Sequence, residues 1–135
     1  MRHCAALALF LVASAAGAGD KPSVRALDLK AVKLTHAGNA PEAAVAGSAE
    51  ELAKIKALAD AAGRDAVAKQ VDFAKQKVVV FAWSGSGGDR LVPELKTDGG
   101  KVIAVFTYSP GATDDLRPHG FAFSIPKDAV AEVKK

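Results

Sequence analysis

Three stretches of this chain are apolar at nearly every position, and they constrain its fold more than any other feature. They are residues 77–83 (KVVVFAW), 101–108 (KVIAVFTY) and 121–125 (FAFSI). Because successive side chains of a strand point to opposite faces, the first two present apolar side chains on both faces. Such strands are covered on both sides in folded proteins, so we expect all three to be central strands of a sheet.

Each of these stretches also carries two aromatic residues at positions i and i+2, on one face of its strand. The pairs are Phe81 with Trp83, Phe106 with Tyr108, and Phe121 with Phe123. Stacked across neighbouring strands they predict one aromatic layer. This layer is either a hydrophobic core or a platform for sugar rings or bases. We favour the core, with Trp83 and Tyr108 partly exposed at the strand ends.

Weaker strand patterns lie around these three. Residues 90–95 read as an edge strand because Pro93 cannot donate to a ladder, and residues 129–133 predict a last short strand. Residues 21–33 predict one or two short strands, and residues 37–41 predict a turn.

A helix is expected between the first strands and the apolar ones. Ser48 and Glu51 have the spacing of a capping box, and apolar residues then recur on one helical face up to Ala62. Gly63 is a natural end for this helix, and Asp65 can begin a second, short one that reaches about Gln70. The predicted fold class is therefore α+β: an antiparallel sheet of about five or six strands with one main helix, residues 48–62, packed on one face.

The first 18 residues have the pattern of a secretory signal peptide. A basic start (Met1-Arg2-His3) precedes an apolar run over residues 5–13 and small residues over 14–18. We expect cleavage before Gly19, or alternatively after Ala15, which leaves residues 19–135 as one α+β domain without a membrane span. The mature chain is then secreted or periplasmic.

Composition narrows the function further. Cys4 is the one cysteine, so the mature chain has none for thiol catalysis or a thiolate metal site. A cysteine-free exported domain fits a bacterial envelope better than an animal extracellular protein. The formal net charge is +3, with the lysines scattered, so no basic stripe of the kind that binds nucleic acid is expected.

Residues 71–127 carry a series of short motifs that resemble a known family. Val71-Asp72-Phe73-x-Lys75 precedes a strand and a glycine-rich loop, and a second strand leads to Ser109-Pro110-Gly111 and a closing segment, residues 124–127 (SIPK). This pattern resembles the C-terminal domain of PrcB-type proteins, named after an accessory subunit of a secreted protease complex. It also resembles short secreted proteins of planctomycetes. The resemblance covers under half of the chain and implies a small extracytoplasmic domain without established catalytic residues. In that family the glycine-rich loop usually runs into an aromatic residue, whereas here Asp89 and Arg90 follow.

Two loops hold the candidate functional residues. Residues 84–90 (SGSGGDR) could be a hairpin loop, a partner contact or an anion cradle formed by backbone N–H groups. Residues 109–120 (SPGATDDLRPHG) are longer than a hairpin needs, and long ordered loops are often functional. The candidate binding residues are Trp83, Ser86, Asp89, Arg90, Tyr108, Asp114, Asp115, Arg117 and His119.

Three kinds of function remain open for these residues. The leading interpretation is a non-catalytic module that contacts a protein or envelope component through both loops, without cofactor or metal. The first alternative is a small-ligand or carbohydrate binder that uses Trp83 and Tyr108. The second is a hydrolase in which Ser86, His119 and Asp114 form a triad. A metal site would need Asp114 or Asp115 with His119, and further ligands from His36 or Asp89.

Overall fold

The computed structural model describes residues 22–135, and the predicted signal peptide lies outside this range. Within it, seven strands form two sheets. The four-stranded sheet has the order β1-β6-β3-β2, and the three-stranded sheet has the order β4-β5-β7. The strands are β1 (Arg25–Ala26), β2 (Ala44–Ala46), β3 (Gln76–Ser86), β4 (Arg90–Asp98), β5 (Lys101–Ser109), β6 (Leu116–Pro126) and β7 (Val130–Lys134). The chain is therefore mainly β with a few short helices.

The expectation of a single antiparallel sheet is wrong in two respects. Strand β3 pairs with β6 and not with β4, so the chain passes from one sheet to the other after β3 and returns after β5. Strand β7 lies parallel to β5, whereas the other pairs are antiparallel. The alternation of side chains defines the faces of each strand, but it contains no information about which strands pair.

The two sheets pack face to face through the predicted aromatic layer. Strand β3 contributes Val79, Phe81 and Trp83, as the alternation predicts. The Phe81 ring lies 4.8 Å from the Phe106 ring and 6.2 Å from the Phe123 ring, measured between centroids. Burial of these rings and of the aliphatic residues around them forms one of the two hydrophobic cores of the fold.

The opposite face of the four-stranded sheet packs against the helical segments. Val78 and Val80 of β3 lie there with Ala122 of β6, and they contact Leu52, Leu58 and Val67. Strands β3 and β6 are thus central and covered on both faces, as expected. Strand β5 is also central, and on its second face Val105 is buried whereas Thr107 is exposed, so that face is covered only in part. Strand β4 lies at a sheet edge, which confirms the interpretation of Pro93.

The helix predicted over residues 48–62 is broken into shorter pieces. Helix α1 spans Ala49–Leu52, a 3-10 turn spans Lys56–Leu58, and helix α2 spans Ala61–Ala68. Leu52, Ile55 and Leu58 are all buried, yet a continuous α-helix of 3.6 residues per turn would place Leu52 and Leu58 about 120° apart. The extended backbone at Ile55 lets all three face the same sheet.

The sequence predicted where this helix begins and where it ends, and only the predicted beginning is confirmed. Ser48 is the N-cap, and its Oγ accepts a hydrogen bond from the Glu51 N–H at 3.1 Å, as predicted. Gly63 was expected to end the helix, but it lies buried inside α2. A Cβ at this position would lie 3.2 Å from Val32 Cγ1, so close packing against Val32 explains the glycine. No helix among residues 22–135 is both long and apolar enough to cross a membrane.

Candidate functional site

Both candidate loops lie at the same end of the sandwich because both connect the two sheets. The β3–β4 connection leaves the four-stranded sheet after Ser86, and the β5–β6 connection returns to it at Leu116, the register partner of Ser86. The other ends of the connections, Arg90 and Ser109, are also register partners. We call residues 86–90 and 109–117 together the tip. The predicted second loop, residues 109–120, is shorter than expected because β6 already begins at Leu116.

The Asp89 carboxylate is the main link between the two halves of the tip. Its Oδ1 accepts a hydrogen bond from the Gly111 backbone N–H at 2.7 Å. Its Oδ2 accepts from Trp83 Nε1 at 3.0 Å and from the Tyr108 hydroxyl at 3.3 Å. One side chain thus holds both loops and satisfies the polar atoms of two core aromatics.

These hydrogen bonds also affect the ionisation of Asp89 and Tyr108. The Gly111 N–H first, and then the Trp83 indole N–H, lower the pKa of Asp89 because both stabilise the charged carboxylate. Burial raises the pKa of Tyr108, and the neighbouring Asp89 charge adds to this effect. Asp89 is therefore ionised and Tyr108 neutral throughout the neutral pH range.

A second set of contacts connects the loops around Ser86. Ser86 Oγ lies 2.5 Å from Thr113 Oγ1 and accepts hydrogen bonds from the backbone N–H groups of Thr113 and Gly88. Asp115 accepts from the Gly87 N–H at 3.2 Å and from Arg117 Nε at 2.5 Å. The N–H groups of Gly87 and Gly88 therefore bond to oxygens of the chain itself, which removes the donors that an anion cradle would need.

The pKa of Asp115 lies well below the usual carboxyl range. The Thr113 side chain has the largest effect, followed by Arg117 and the Gly87 N–H, because each donates to the carboxylate. The Asp115–Arg117 ion pair is exposed, so its role is to hold local geometry more than to add stability.

The aromatic pair of the carbohydrate-binding alternative is enclosed in the core. Trp83 is 0% exposed and Tyr108 is 9% exposed, so the expectation that both are partly exposed is wrong. Trp83 packs edge-on against Tyr108 and stacks on His119 at 5.0 Å. The physical reason is that Asp89 binds both polar atoms, which allows the rings to be buried without unsatisfied donors.

The hydrolase alternative requires a hydrogen bond between Ser86 and His119, and the structure has a different contact. His119 Nε2 lies 2.7 Å from the backbone oxygen of Ser86, while the Ser86 hydroxyl is bonded to Thr113 and Gly88. Ser86 and His119 therefore lie close together, but the nucleophile–base hydrogen bond of a triad is not formed.

The remaining candidates lie on the surface of the tip. Asp114 and Arg90 are exposed, and neither side chain bonds to another residue in the range 22–135. Within the same range no group of three His, Cys, Asp or Glu side chains is arranged to hold a metal ion.

Three residues of the tip were not foreseen from the sequence. Gly111 donates to Asp89, Thr113 bonds to Ser86, and Leu116 is 77% exposed at the start of β6. Gly111 had a signal, since it follows Pro110 in a turn-like segment, whereas the other two had none. A Cβ on Gly111 would lie 2.5 Å from both the Gly88 carbonyl carbon and Ser86 Oγ, so the two loops touch at this glycine.

Comparison with known proteins found no relative of this chain: no family model, no curated protein and no solved structure matches it.

Proposed function

We propose that this chain is an exported, non-catalytic interaction module that binds a protein or envelope partner through the tip. The observation that supports this best is the mutual binding of the two loops through Asp89, Ser86 and Asp115. Loops fixed in this way present a preorganised surface, which reduces the entropy that binding must overcome.

The tip also presents an apolar side chain to solvent. Leu116 is 77% exposed, more than any other large apolar residue in the described range. The other exposed ones are Val45, Val92 and Val130. A single exposed apolar residue is common on protein surfaces, but Leu116 lies beside two loops that are fixed by their hydrogen bonds, so it offers a partner an apolar contact on a preorganised surface. The resemblance of residues 71–127 to PrcB-type domains, which implies an accessory role without catalytic residues, agrees with this proposal.

Export and partner binding can be tested in one experiment. The full chain is expressed in its own organism with its leader and a C-terminal affinity tag, and the exported fraction is crosslinked and purified. Peptide sequencing of the product should show that the chain begins at Gly19 or Ala16. We expect a partner that is captured by the wild type and lost in the Leu116→Ser variant.

Val130→Ser is the matched control. Val130 is also exposed on a strand, but it pairs with Ile103 near the opposite end of β5 from the tip. Equal capture by the wild type and both variants would refute binding through the tip. Retention of the whole chain in the cytoplasm would refute export.

A further inference from the structure

The tip contains a cleft of about 300 Å³. Both loops and Asn39 line it, with Leu116, Pro110 and Tyr108 as its larger apolar neighbours. The volume is at the lower end of the range for ligand pockets, so it suits a single side chain and not a folded segment.

The cleft differs in charge from the rest of the molecule. Its charged lining residues are Asp89, Asp114 and Asp115, and no Lys or Arg is among them, although the chain as a whole carries a net positive charge. The three carboxylates have different surroundings. Asp115 is paired with Arg117, whereas the three donors to Asp89 are uncharged groups.

Asp114 is the carboxylate that remains free for a partner. It is exposed, and its side chain has no bond to another residue in the range 22–135. It lies two residues before Leu116, and both line the same cleft. An apolar surface and an unpaired negative charge are therefore adjacent in a loop that is fixed by its hydrogen bonds.

We propose that the tip docks a partner protein by receiving one of its basic side chains, a lysine or an arginine, in this cleft. The apolar stem of that side chain packs against Leu116 and Pro110, and its charged end meets Asp114. Lysine and arginine are the side chains that combine a long apolar stem with a positive charge, so they complement both features of the cleft. This inference rests on the proposed function, and it specifies the chemistry of the partner.

The single tryptophan provides a direct measurement. The chain contains one Trp, and its indole N–H donates to the Asp89 carboxylate that lines the cleft. The indole therefore gives one resonance in an ¹H–¹⁵N spectrum, and that resonance reports on the cleft. The probes are the N-acetyl methylamides of arginine, lysine and glutamate, titrated into the chain purified from the exported fraction.

We expect a saturable shift of the Trp83 indole resonance with the arginine or lysine probe, and none with glutamate. Asp114→Asn should weaken the binding by up to about fivefold, as expected for loss of an exposed ion pair, and added salt should weaken binding by the wild type. Asp98→Asn is the matched control, because Asp98 is exposed at the opposite end of β4 and should leave the affinity unchanged.

The inference is overturned if the basic probes give no saturable shift, if the glutamate probe gives an equal one, or if both aspartate variants bind alike. These outcomes are distinct from failure of the proposed function, which is measured by capture with the Leu116 variant. Loss of capture in Leu116→Ser without binding of basic probes would reject the chemistry of the partner and keep the interaction module.

Discussion

The Ser124 hydroxyl allows a direct test of how the four-stranded sheet packs against the helical segments. Ser124 lies in β6 and is 0% exposed, and its Oγ has no hydrogen-bond partner among the described residues. It is on the same face as Ala122, directed at the helical segments, with Val78 as its register partner in β3. A hydroxyl in such an apolar layer has lost its contacts with water and gained nothing in exchange.

Replacing Ser124 by alanine should therefore stabilise the fold. A buried polar group without a partner costs about 1–3 kcal/mol, and removal of one oxygen atom leaves only a small void with a minor packing loss. We expect the free energy of unfolding to rise by about 1 kcal/mol. Ser48→Ala removes the same atom where it caps α1, so it should lower that free energy by about 1 kcal/mol.

The assay is urea unfolding of the purified exported chain, followed by Trp83 fluorescence and by far-ultraviolet circular dichroism. Equal slopes for the three proteins would show that the variants change stability and not the unfolded state. A lower free energy of unfolding for Ser124→Ala than for the wild type would refute the reasoning, because it would mean that the hydroxyl is hydrogen bonded in solution.

Three further predictions concern the core and the tip. Phe81→Ala should cost about 3–5 kcal/mol in urea unfolding because the ring is fully enclosed; a cost near zero would contradict the aromatic layer. The lowered pKa of Asp89 means that its stabilising contribution is present above the ordinary carboxyl pKa and is lost as the pH falls through the folded value. Stability measured from pH 7 downward should therefore decline below about pH 4, and less steeply in Asp89→Asn; identical pH profiles would exclude this role. Gly111→Ala should separate the loops and accelerate amide exchange in the tip, whereas Gly99→Asn, which faces open space, should leave the tip unchanged; equal protection in both would exclude the close contact.

Much of the local structure follows from sequence patterns alone. Alternation of apolar residues over 77–83 correctly separates Val79, Phe81 and Trp83 from Val78 and Val80. Pro93 predicts the edge position of β4. These inferences succeed because a strand's side-chain period and the missing N–H of proline are properties of neighbouring residues.

The site was predicted only in part, since its geometry depends on contacts between distant segments. The sequence points to both loops and to Asp89, but not to the bonds that join Asp89 to Gly111 and Trp83, which lie 22 and 6 residues away. For the same reason the burial of Trp83 was missed: the indole can be enclosed only because a carboxylate from the next connection accepts its N–H.

The amino-acid sequence by itself determined the three apolar strands, their faces, the aromatic pairs and the N-cap at Ser48, because each follows from local sterics and periodicity. Strand β2 and the first residues of β6 were not predicted. Only the tertiary structure decided the division into two sheets, the parallel β7 and the break at Ile55, because strand pairing and layer packing are selected by the burial of surfaces far apart in the chain. The tip belongs to the second group, since its two loops meet only when β3 pairs with β6 and β4 pairs with β5.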